Sequence, residues 1–261
     1  MSATLPSVAD AYRHCEALTR EQAGNFYYGI RLLPAPKRRA MCAVYAFARL
    51  VDDIGDGDQP AERKLELLAD ARAQLETEDG SPTRIALADA ERRFALPREA
   101  LCDLIDGVEM DVRGTEYETF DELVVYCRRV AGSIGRLCLA IFGSSDMATA
   151  SPLADDLGVA MQLTNILRDV REDLEAAAPA QFAGLMAFEA QRAREWFARG
   201  LALVDLIDAR SASCVCAMTG IYRRILDRID ESPHTVLDHR LSLATWEKTW
   251  VALRSLAGAS R

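Results

Sequence analysis

Hydrophobic residues recur at helical spacing along most of the chain, and Pro and Gly residues interrupt the pattern. Patterns typical of strands are nearly absent. We see no internal repeat, low-complexity linker or domain boundary, so residues 1–261 are predicted to form one all-α domain. The predicted helices cover about 7–22, 26–33, 182–209, 213–230 and 242–257, with others that begin after Pro34, at Ser81–Pro82, at Pro97, at Thr119 and at Ser151–Pro152.

Local capping signals support two of these helix starts, and small residues interrupt one of the helices. Ser81 before Pro82 has the order of an N-cap and a first helical residue. Thr119 and Glu122 have capping-box spacing. The small residues at 131–133 and 135 allow two interpretations. They make a plain kink, or they let a chain-like ligand pass close to the backbone.

The stretch 162–173, QLTNILRDVRED, carries a polar stripe on an otherwise apolar helix. Its polar residues follow one another at steps of three and four, and the last two lie three and four residues after the third, so they share one helical face. They are Gln162, Asn165, Asp169, Glu172 and Asp173. A helix this apolar is normally buried, and buried carboxylates without a partner are very costly. The stripe should therefore face a cation or a water-filled cleft.

A second polar stripe lies in the stretch YAFARLVDDIGD, where Tyr45, Arg49, Asp52 and Asp56 share one helical face. Two such helices facing each other would form a site rich in carboxylate oxygen. Such ligands suit a hard ion, above all Mg²⁺. One alternative is solvated charged faces, which the apolar character of the remaining faces disfavours. The other is structural ion pairs, for example Arg49 with Asp52 or Arg168 with Asp169, which are compatible with catalysis.

The two stretches resemble the aspartate motifs of the squalene/phytoene synthase family, and the resemblance runs through most of the chain. It includes NFYYGIRLLP at 25–34, YCRRVAGSIG at 126–135 and IYRRILDRI at 221–229. In its detailed sequence the chain is most similar to bacterial presqualene diphosphate synthases of hopanoid biosynthesis, with phytoene synthases as near neighbours. The resemblance implies an isoprenoid synthase-like helical bundle around a central apolar cavity. Its metal ligands would be Asp52, Asp56, Asn165, Asp169 and Asp173, with Asp53 and Glu172 less certain.

The resemblance also implies a magnesium-dependent prenyltransferase that joins two prenyl diphosphates head to head, with Mn²⁺ as an alternative metal. Two farnesyl diphosphates would give presqualene diphosphate, and NADPH would be needed only if the reaction continues to squalene. The open alternatives are phytoene formation from two geranylgeranyl diphosphates, terpene cyclisation and a non-catalytic scaffold. Cyclisation is disfavoured by the triad of Asn165, Asp169 and Asp173 in the second motif. The implied catalytic residues are Tyr45, Arg49, Tyr126 and Arg168, and the implied substrate-binding residues are Phe26, Gln162, Tyr222 and Arg240.

The segment after Asp173 departs from the family pattern. Family members usually continue with a Gly-Arg-x-Tyr-x-Pro run and a loop over the site, whereas this chain continues with LEAAAPAQF. Either the lid is lacking or a piece is missing from the sequence. We expect an open cleft without ligand, and a gap or a mobile stretch near 176–183, because ordering such a segment costs backbone entropy.

Composition limits the binding partners, metal sites and cellular locations that fit this chain. The net charge of −9 and the lack of basic blocks argue against nucleic-acid binding. Seven cysteines without a CxxC pair are predicted to be reduced, mostly buried thiols in a cytoplasmic protein, and three scattered histidines give little support to a zinc site. The sequence shows no secretion signal and no membrane span, so contact with a membrane for lipid product release would be peripheral.

Overall fold

The computed structural model describes residues 6–77, 80–170 and 179–258, and over these residues the chain forms helices and turns without a strand. This confirms the predicted all-α class. A π-helical turn (Arg128–Gly132) and a 3₁₀ segment (Leu201–Leu206) lie between consecutive α-helices. The α-helices are α1 (Val8–Gln22), α2 (Phe26–Ile30), α3 (Ala35–Asp56), α4 (Ala61–Gln74), α5 (Pro82–Phe94), α6 (Arg98–Val112), α7 (Phe120–Cys127), α8 (Ser133–Phe142), α9 (Met147–Asp169), α10 (Pro179–Gly200), α11 (Ala209–Glu231), α12 (Thr235–Asp238) and α13 (Thr245–Gly258).

Side-chain caps fix several helix starts at the places that the sequence indicates. The Ser81 hydroxyl accepts a hydrogen bond from the backbone N–H of Arg84 at 3.2 Å. Thr119 and Glu122 form the predicted capping box, in which each side chain accepts from the backbone of the other residue. These signals are local, because the side chain and the orphan N–H lie within one turn.

The start of α9 corrects a prediction. The helix begins at Met147, not at Ser151–Pro152, because Asp146 is the N-cap and accepts from the N–H of Thr149 at 3.1 Å. Pro152 lies inside the helix, where its fixed φ is compatible with helical geometry. The predicted helix over 182–209 is also too long, since α10 ends at Gly200 and the chain continues as the 3₁₀ segment. Asp208 is the N-cap of α11, and this helix begins at Ala209, four residues earlier than predicted.

The helices enclose one continuous hydrophobic core, in which α9 packs between α10, α8, α11 and the π-helical turn. A partly exposed cross-link ties three of the surrounding helices together. The Lys37 ammonium on α3 donates to the carbonyl of Phe142 at 2.6 Å, to Asp208 at 2.6 Å and to Ser211 at 3.2 Å. The ends of α8 and α11 are thereby fixed against the start of α3.

The π-helical turn and the start of α8 lie where α9 crosses closely, and this explains their small residues. A Cβ on Gly158 would lie 2.5 Å from the backbone of Ala131, and a Cβ on Gly135 would lie 2.3 Å from the carbonyl oxygen of Ala154. Only glycine permits this approach of two backbones. Ala131 and Gly135 also line the cavity described below. The small residues therefore serve helix packing and cavity shape together.

All seven cysteines lie in the described part of the chain as free thiols, and five of them are buried. Burial raises the pKa of Cys15, Cys127 and Cys138 to about 12, so these thiols are not nucleophiles at neutral pH. Within the described ranges, no helix has the length and hydropathy to cross a bilayer.

Candidate active site

A cavity of about 480 Å³ lies between α3, α6, α8, α9 and α11. Most of its polar side chains come from the second halves of α3 and α9, and Asp111 of α6, Tyr126 of α7 and Arg240 after α12 complete them. Its apolar wall comes from earlier turns of α3 and α9 and from their neighbours. The polar lining includes Tyr45, Arg49, Asp52, Asp56, Asp111, Tyr126, Gln162, Asn165, Arg168, Asp169 and Arg240, and the apolar lining includes Phe26, Met41, Val44, Leu104, Val108, Ile134, Phe142, Leu157, Met161 and Met218. The two predicted stripes thus face the same space.

Asp52, Asp56 and Asp111 form what we call the first acidic cluster. Their carboxylates interact electrostatically, and no basic residue in the described ranges forms an ion pair with any of the three. Desolvation, and then the neighbouring charges of Asp56 and other acids, raise the pKa of Asp52 to about 6, against the lowering effect of the nearby Arg49 charge. Desolvation and the Asp56 charge raise the pKa of Asp111 to about 6, against the lowering effect of a hydrogen bond from Tyr126. The cluster therefore has excess negative charge, which Arg49 offsets only in part and which favours binding of a cation.

Arg49 lies beside this cluster but pairs with Asp53, one turn farther along the same helix. Its Nε is buried and has no hydrogen-bond partner. Asp53, which points off the stripe, thus orients the guanidinium, while Arg49 keeps a donor for a ligand in the cavity.

At the end of α9, Arg168, Asp169 and Arg240 form what we call the arginine clamp. Arg168 donates to the two carboxylate oxygens of Asp169 at 3.0 and 2.7 Å, and Arg240 donates to the same two oxygens at 2.9 and 3.0 Å. Burial alone would raise the pKa of Asp169, but the hydrogen bonds and charges of the two arginines outweigh it and lower that pKa. Asp169, predicted as a metal ligand, is here held by two cations, so that role stays a prediction.

Gln162 and Asn165 connect the clamp to the cavity. The Asn165 amide donates to the Gln162 side-chain oxygen at 3.3 Å, and the Oδ1 atom of Asn165 is buried without a partner. Burial raises the pKa of Tyr222, the nearby Arg168 and Asn165 side chains oppose that rise, and the Tyr222 ring lies 5.6 Å from the Phe26 ring. Tyr222 is buried and is not among the residues that line the cavity, so the structure places this predicted substrate-binding residue behind the site. Its predicted contact with substrate remains unsupported by this geometry.

Asp111 is a residue of the site that sequence analysis missed. It belongs to α6, where Leu104, Val108 and Asp111 follow the same face and line the cavity. The Tyr126 hydroxyl donates to Asp111 at 3.0 Å, and the Tyr126 ring lies 5.3 Å from that of Tyr117. Burial and the Asp111 charge raise the pKa of Tyr126 well above its ordinary value, so its hydroxyl keeps its proton. No motif indicates Asp111, because only the fold reveals which face of α6 meets the cavity.

The donor set fits a hard divalent cation. Within the ranges that the structure describes, no three His, Cys, Asp or Glu side chains converge closely enough to hold a metal ion by themselves. This is compatible with Mg²⁺, which is usually held by one or two carboxylates, water and substrate phosphates instead of an all-protein cage. Asp52 and Asp56 without cationic partners, and the unpartnered Oδ1 of Asn165, supply such oxygens. Asp173 and Glu172 lie outside the described residues.

The comparisons with known proteins decide the family. The squalene/phytoene synthase family model matches residues 19–178 and 174–247, which together cover most of the chain. This chain belongs to the squalene/phytoene synthase family. The predicted membership is therefore confirmed, and with it the class of head-to-head condensation of prenyl diphosphates.

Relatives with different names resemble this family member. A protein of Mycobacterium tuberculosis named phytoene synthase is 44% identical over 283 residues, which covers 98% of this chain and 93% of the relative. A presqualene diphosphate synthase of Rhodopseudomonas palustris is 43% identical, but over 156 residues that cover 57% of this chain and 54% of the relative. A crystal structure of a dehydrosqualene synthase with a ligand has the same fold, with a TM-score of 0.88, 24% identity and coverage of 97% and 98% of the two chains.

The comparisons bear on the shortened segment after Asp173. The alignment with the mycobacterial protein spans 283 positions, more than the 261 residues of this chain, so that protein carries residues without a counterpart here. The two parts of the family match meet at 174–178, where the family pattern breaks off. Residues 171–178 lie outside the described part of the chain, so the expected mobility near 176–183 is untested there.

Proposed function

We propose that this chain condenses two prenyl diphosphates head to head in the cavity between α3 and α9, with release of diphosphate in a magnesium-dependent reaction. The observation that carries the proposal is the convergence of both polar stripes on one cavity whose remaining wall is apolar. When bound, Mg²⁺ would supply Lewis-acid stabilisation of the departing diphosphate. Asp52, Asp56 and Asn165 would hold it, together with Asp173.

The arginines would bind the diphosphate. Arg168 and Arg240 each donate two hydrogen bonds to one carboxylate, and a diphosphate presents a similar pair of oxygens with more charge. We expect the diphosphate to replace Asp169 as their partner, which frees that carboxylate for the role the sequence assigns to it. Arg49 would bind from the other side through its unpartnered Nε.

The apolar wall would hold the prenyl chains and exclude water from the allylic cation. Tyr45 and Phe26 present aromatic surface to the cavity, and aromatic faces stabilise a nearby cation. Burial and the Asp111 charge raise the pKa of Tyr126, so the hydroxyl that donates to Asp111 at 3.0 Å stays protonated, and a phenol is a weaker nucleophile toward the cation than a phenolate.

For the substrate, we propose two geranylgeranyl diphosphates, giving phytoene, as the first candidate. Its support is that relatives aligned with nearly the whole chain carry the name phytoene synthase. Two farnesyl diphosphates, giving presqualene diphosphate, are the second candidate, supported by the 43% identity with the Rhodopseudomonas protein. A further step to squalene would require NADPH.

Product analysis after incubation of the purified protein with both substrates in competition tests this proposal. We expect one condensed product, released diphosphate and no turnover in EDTA. Asp52→Asn should lower the rate on the order of a hundredfold or more, since it removes a metal-holding carboxylate. Asp58→Asn, at an exposed acid just beyond α3, is the matched control and should leave the rate unchanged. Binding of both substrates without any product would favour the scaffold alternative.

A further inference from the structure

The last described helix, α13, carries an apolar stripe that no part of the protein covers among the described residues. Trp246, Trp250 and Leu253 are 70%, 55% and 57% exposed, far more than ordinary core-forming side chains. Their spacing of four and three places them on one helical face. We call these three residues the tryptophan stripe.

The packing of α13 fixes the stripe toward solvent. Val251, on a different face, packs against α11, where a Cβ on Gly220 would lie 2.9 Å from its side chain. Glu247 accepts from Arg228 of α11 at 2.6 Å and from the backbone N–H of Ala244 at 3.0 Å. The helix is thus attached through its other residues, and turning the stripe inward would break these contacts.

Positive charge lies next to the stripe. A groove of about 690 Å³ between α11 and α13 is lined by Arg223, Arg224 and Arg254, and in the described chain neither Arg223 nor Arg254 forms an ion pair. The groove also contains Asp205 and Asp227, the second of which is paired with Arg194 at 3.2 Å. The local excess of positive charge contrasts with the net charge of −9 for the whole chain.

We propose that the tryptophan stripe and the neighbouring Arg223 and Arg254 form a docking surface for an anionic lipid bilayer. Tryptophan rings are suited to the boundary between headgroups and acyl chains, and arginines beside them would bind lipid phosphates. A second copy of this chain fits less well, because a symmetric contact through this face would bring the same arginines close to each other.

The position of α13 near the cavity indicates what use the protein would make of docking to a bilayer. Arg240 of the arginine clamp precedes Trp246 by only six residues, and α13 also packs against α2, which lines the cavity with Phe26 and Ile30. This use rests on the proposed function, since a long apolar product leaving the cavity would pass to the adjacent bilayer. The docking itself does not depend on it.

Co-sedimentation of the full chain with vesicles, without substrate, tests the surface. Wild-type protein should partition onto vesicles of phosphatidylcholine with phosphatidylglycerol and weakly onto phosphatidylcholine alone. Arg223→Gln with Arg254→Gln should weaken binding to the anionic vesicles roughly thirtyfold. Trp246→Ala with Trp250→Ala should weaken it more than about tenfold. Phe188→Ala on α10 is the matched control, because this aromatic side chain is 58% exposed and lies outside the stripe.

Three results would overturn the proposal. The first is equal binding to neutral and anionic vesicles. The second is a loss of binding with Phe188→Ala as large as with the tryptophan pair. The third is a fall in oligomer size by light scattering in the tryptophan variant, because a second copy of the chain would then be the occupant of this surface. Quenching of tryptophan fluorescence by brominated lipid supplies a second readout. Unchanged thermal melting and unchanged turnover of detergent-dispersed substrate would show that the variants remain folded, and absence of turnover in all proteins would count only against the proposed function.

Discussion

Asp52 and Asp169 share a predicted role but lie in opposite electrostatic surroundings, and this predicts opposite effects of the same substitution on stability. Asp52 belongs to a cluster of acids without a cationic partner, and its pKa is raised to about 6. Asp169 lies between two arginines, and its pKa is lowered. We therefore expect Asp52→Asn to raise the melting temperature of the metal-free protein at neutral pH and Asp169→Asn to lower it.

The magnitude for Asp52 follows from its pKa. One pKa unit corresponds to about 1.4 kcal/mol, so a shift from 3.8 to about 6 would correspond to roughly 3 kcal/mol for a fully buried group. Water reaches this carboxylate through the cavity, which reduces the expected effect to about 1 kcal/mol. For a chain of this size, that is a rise of about 2–4 °C.

The pH dependence supplies the sign check for Asp52. A carboxyl group with a raised folded-state pKa holds its proton more tightly in the folded than in the unfolded state. Ionisation therefore reduces stability as pH rises from about 4 to about 6, and the penalty is complete above that range. The gain from Asp52→Asn should be largest at pH 8 and should diminish at pH 5.

Asp169→Asn should act in the other direction. It removes the negative charge that accepts four hydrogen bonds, and the side chain of Arg168 is only 10% exposed while that of Arg240 is 70% exposed. We expect a loss of about 1–2 kcal/mol, mostly from the buried arginine left without its partner. Because the pKa of Asp169 is lowered, its contribution is present above the ordinary pKa and is lost only in more acidic solution, so the deficit should be constant from pH 5 to 8.

Differential scanning fluorimetry in EDTA at pH 5, 6.5 and 8 measures both effects. Asp58→Asn should change stability by less than about 0.5 kcal/mol at each pH, as an exposed acid without an ion pair among the described residues. Shifts of the same sign for Asp52→Asn and Asp169→Asn, or a gain for Asp52→Asn that does not vary with pH, would refute the electrostatic reasoning.

Four further variants test other contacts. Asp111→Asn should lower kcat/KM about tenfold in steady-state assays, because Tyr126 loses the charge that orients its hydroxyl, and wild-type kinetics would contradict this. Gly158→Ala should destabilise by about 1–3 kcal/mol in urea unfolding, since its Cβ would clash with the π-helical turn, whereas Gly184→Ala, with open space around it, should stabilise by up to about 1 kcal/mol. Lys37→Met should cost about 2 kcal/mol in the same measurement by removing three hydrogen bonds, and a loss below about 0.5 kcal/mol would exclude that role.

The sequence predicted features that depend on neighbours within one or two helical turns. Both polar stripes, the cap at Ser81 and the capping box at Thr119 follow from helical periodicity and local hydrogen bonds. The predicted start of α9 is wrong because Asp146 and Ser151 are both possible N-caps, and sequence alone does not show which one the flanking loop places correctly.

Features that depend on contacts between distant segments could not be predicted from the sequence. Asp111 joins the site only because α6 crosses α3, and Arg240 reaches Asp169 only through a loop 71 residues away. The resemblance to a family assigned Arg240 to substrate, but the hydrogen bonds to Asp169 could not be deduced from it. Tyr222 lies on a predicted helix, yet its place behind Asn165 depends on how α11 packs against α9.

The contrast between the two polar groups of the cavity also bears on the order of binding. The first acidic cluster has excess negative charge and no cationic partner, so a divalent cation would be attracted there before any rearrangement. The arginine clamp is internally compensated, and an anion must displace Asp169 to use its donors. Displacing that carboxylate becomes easier once a cation is bound nearby, because the freed negative charge then gains a partner. The geometry therefore favours an ion that binds first and a diphosphate that opens the clamp second, so the affinity for inorganic diphosphate should rise when Mg²⁺ is present, and by linkage the affinity for Mg²⁺ should rise with diphosphate.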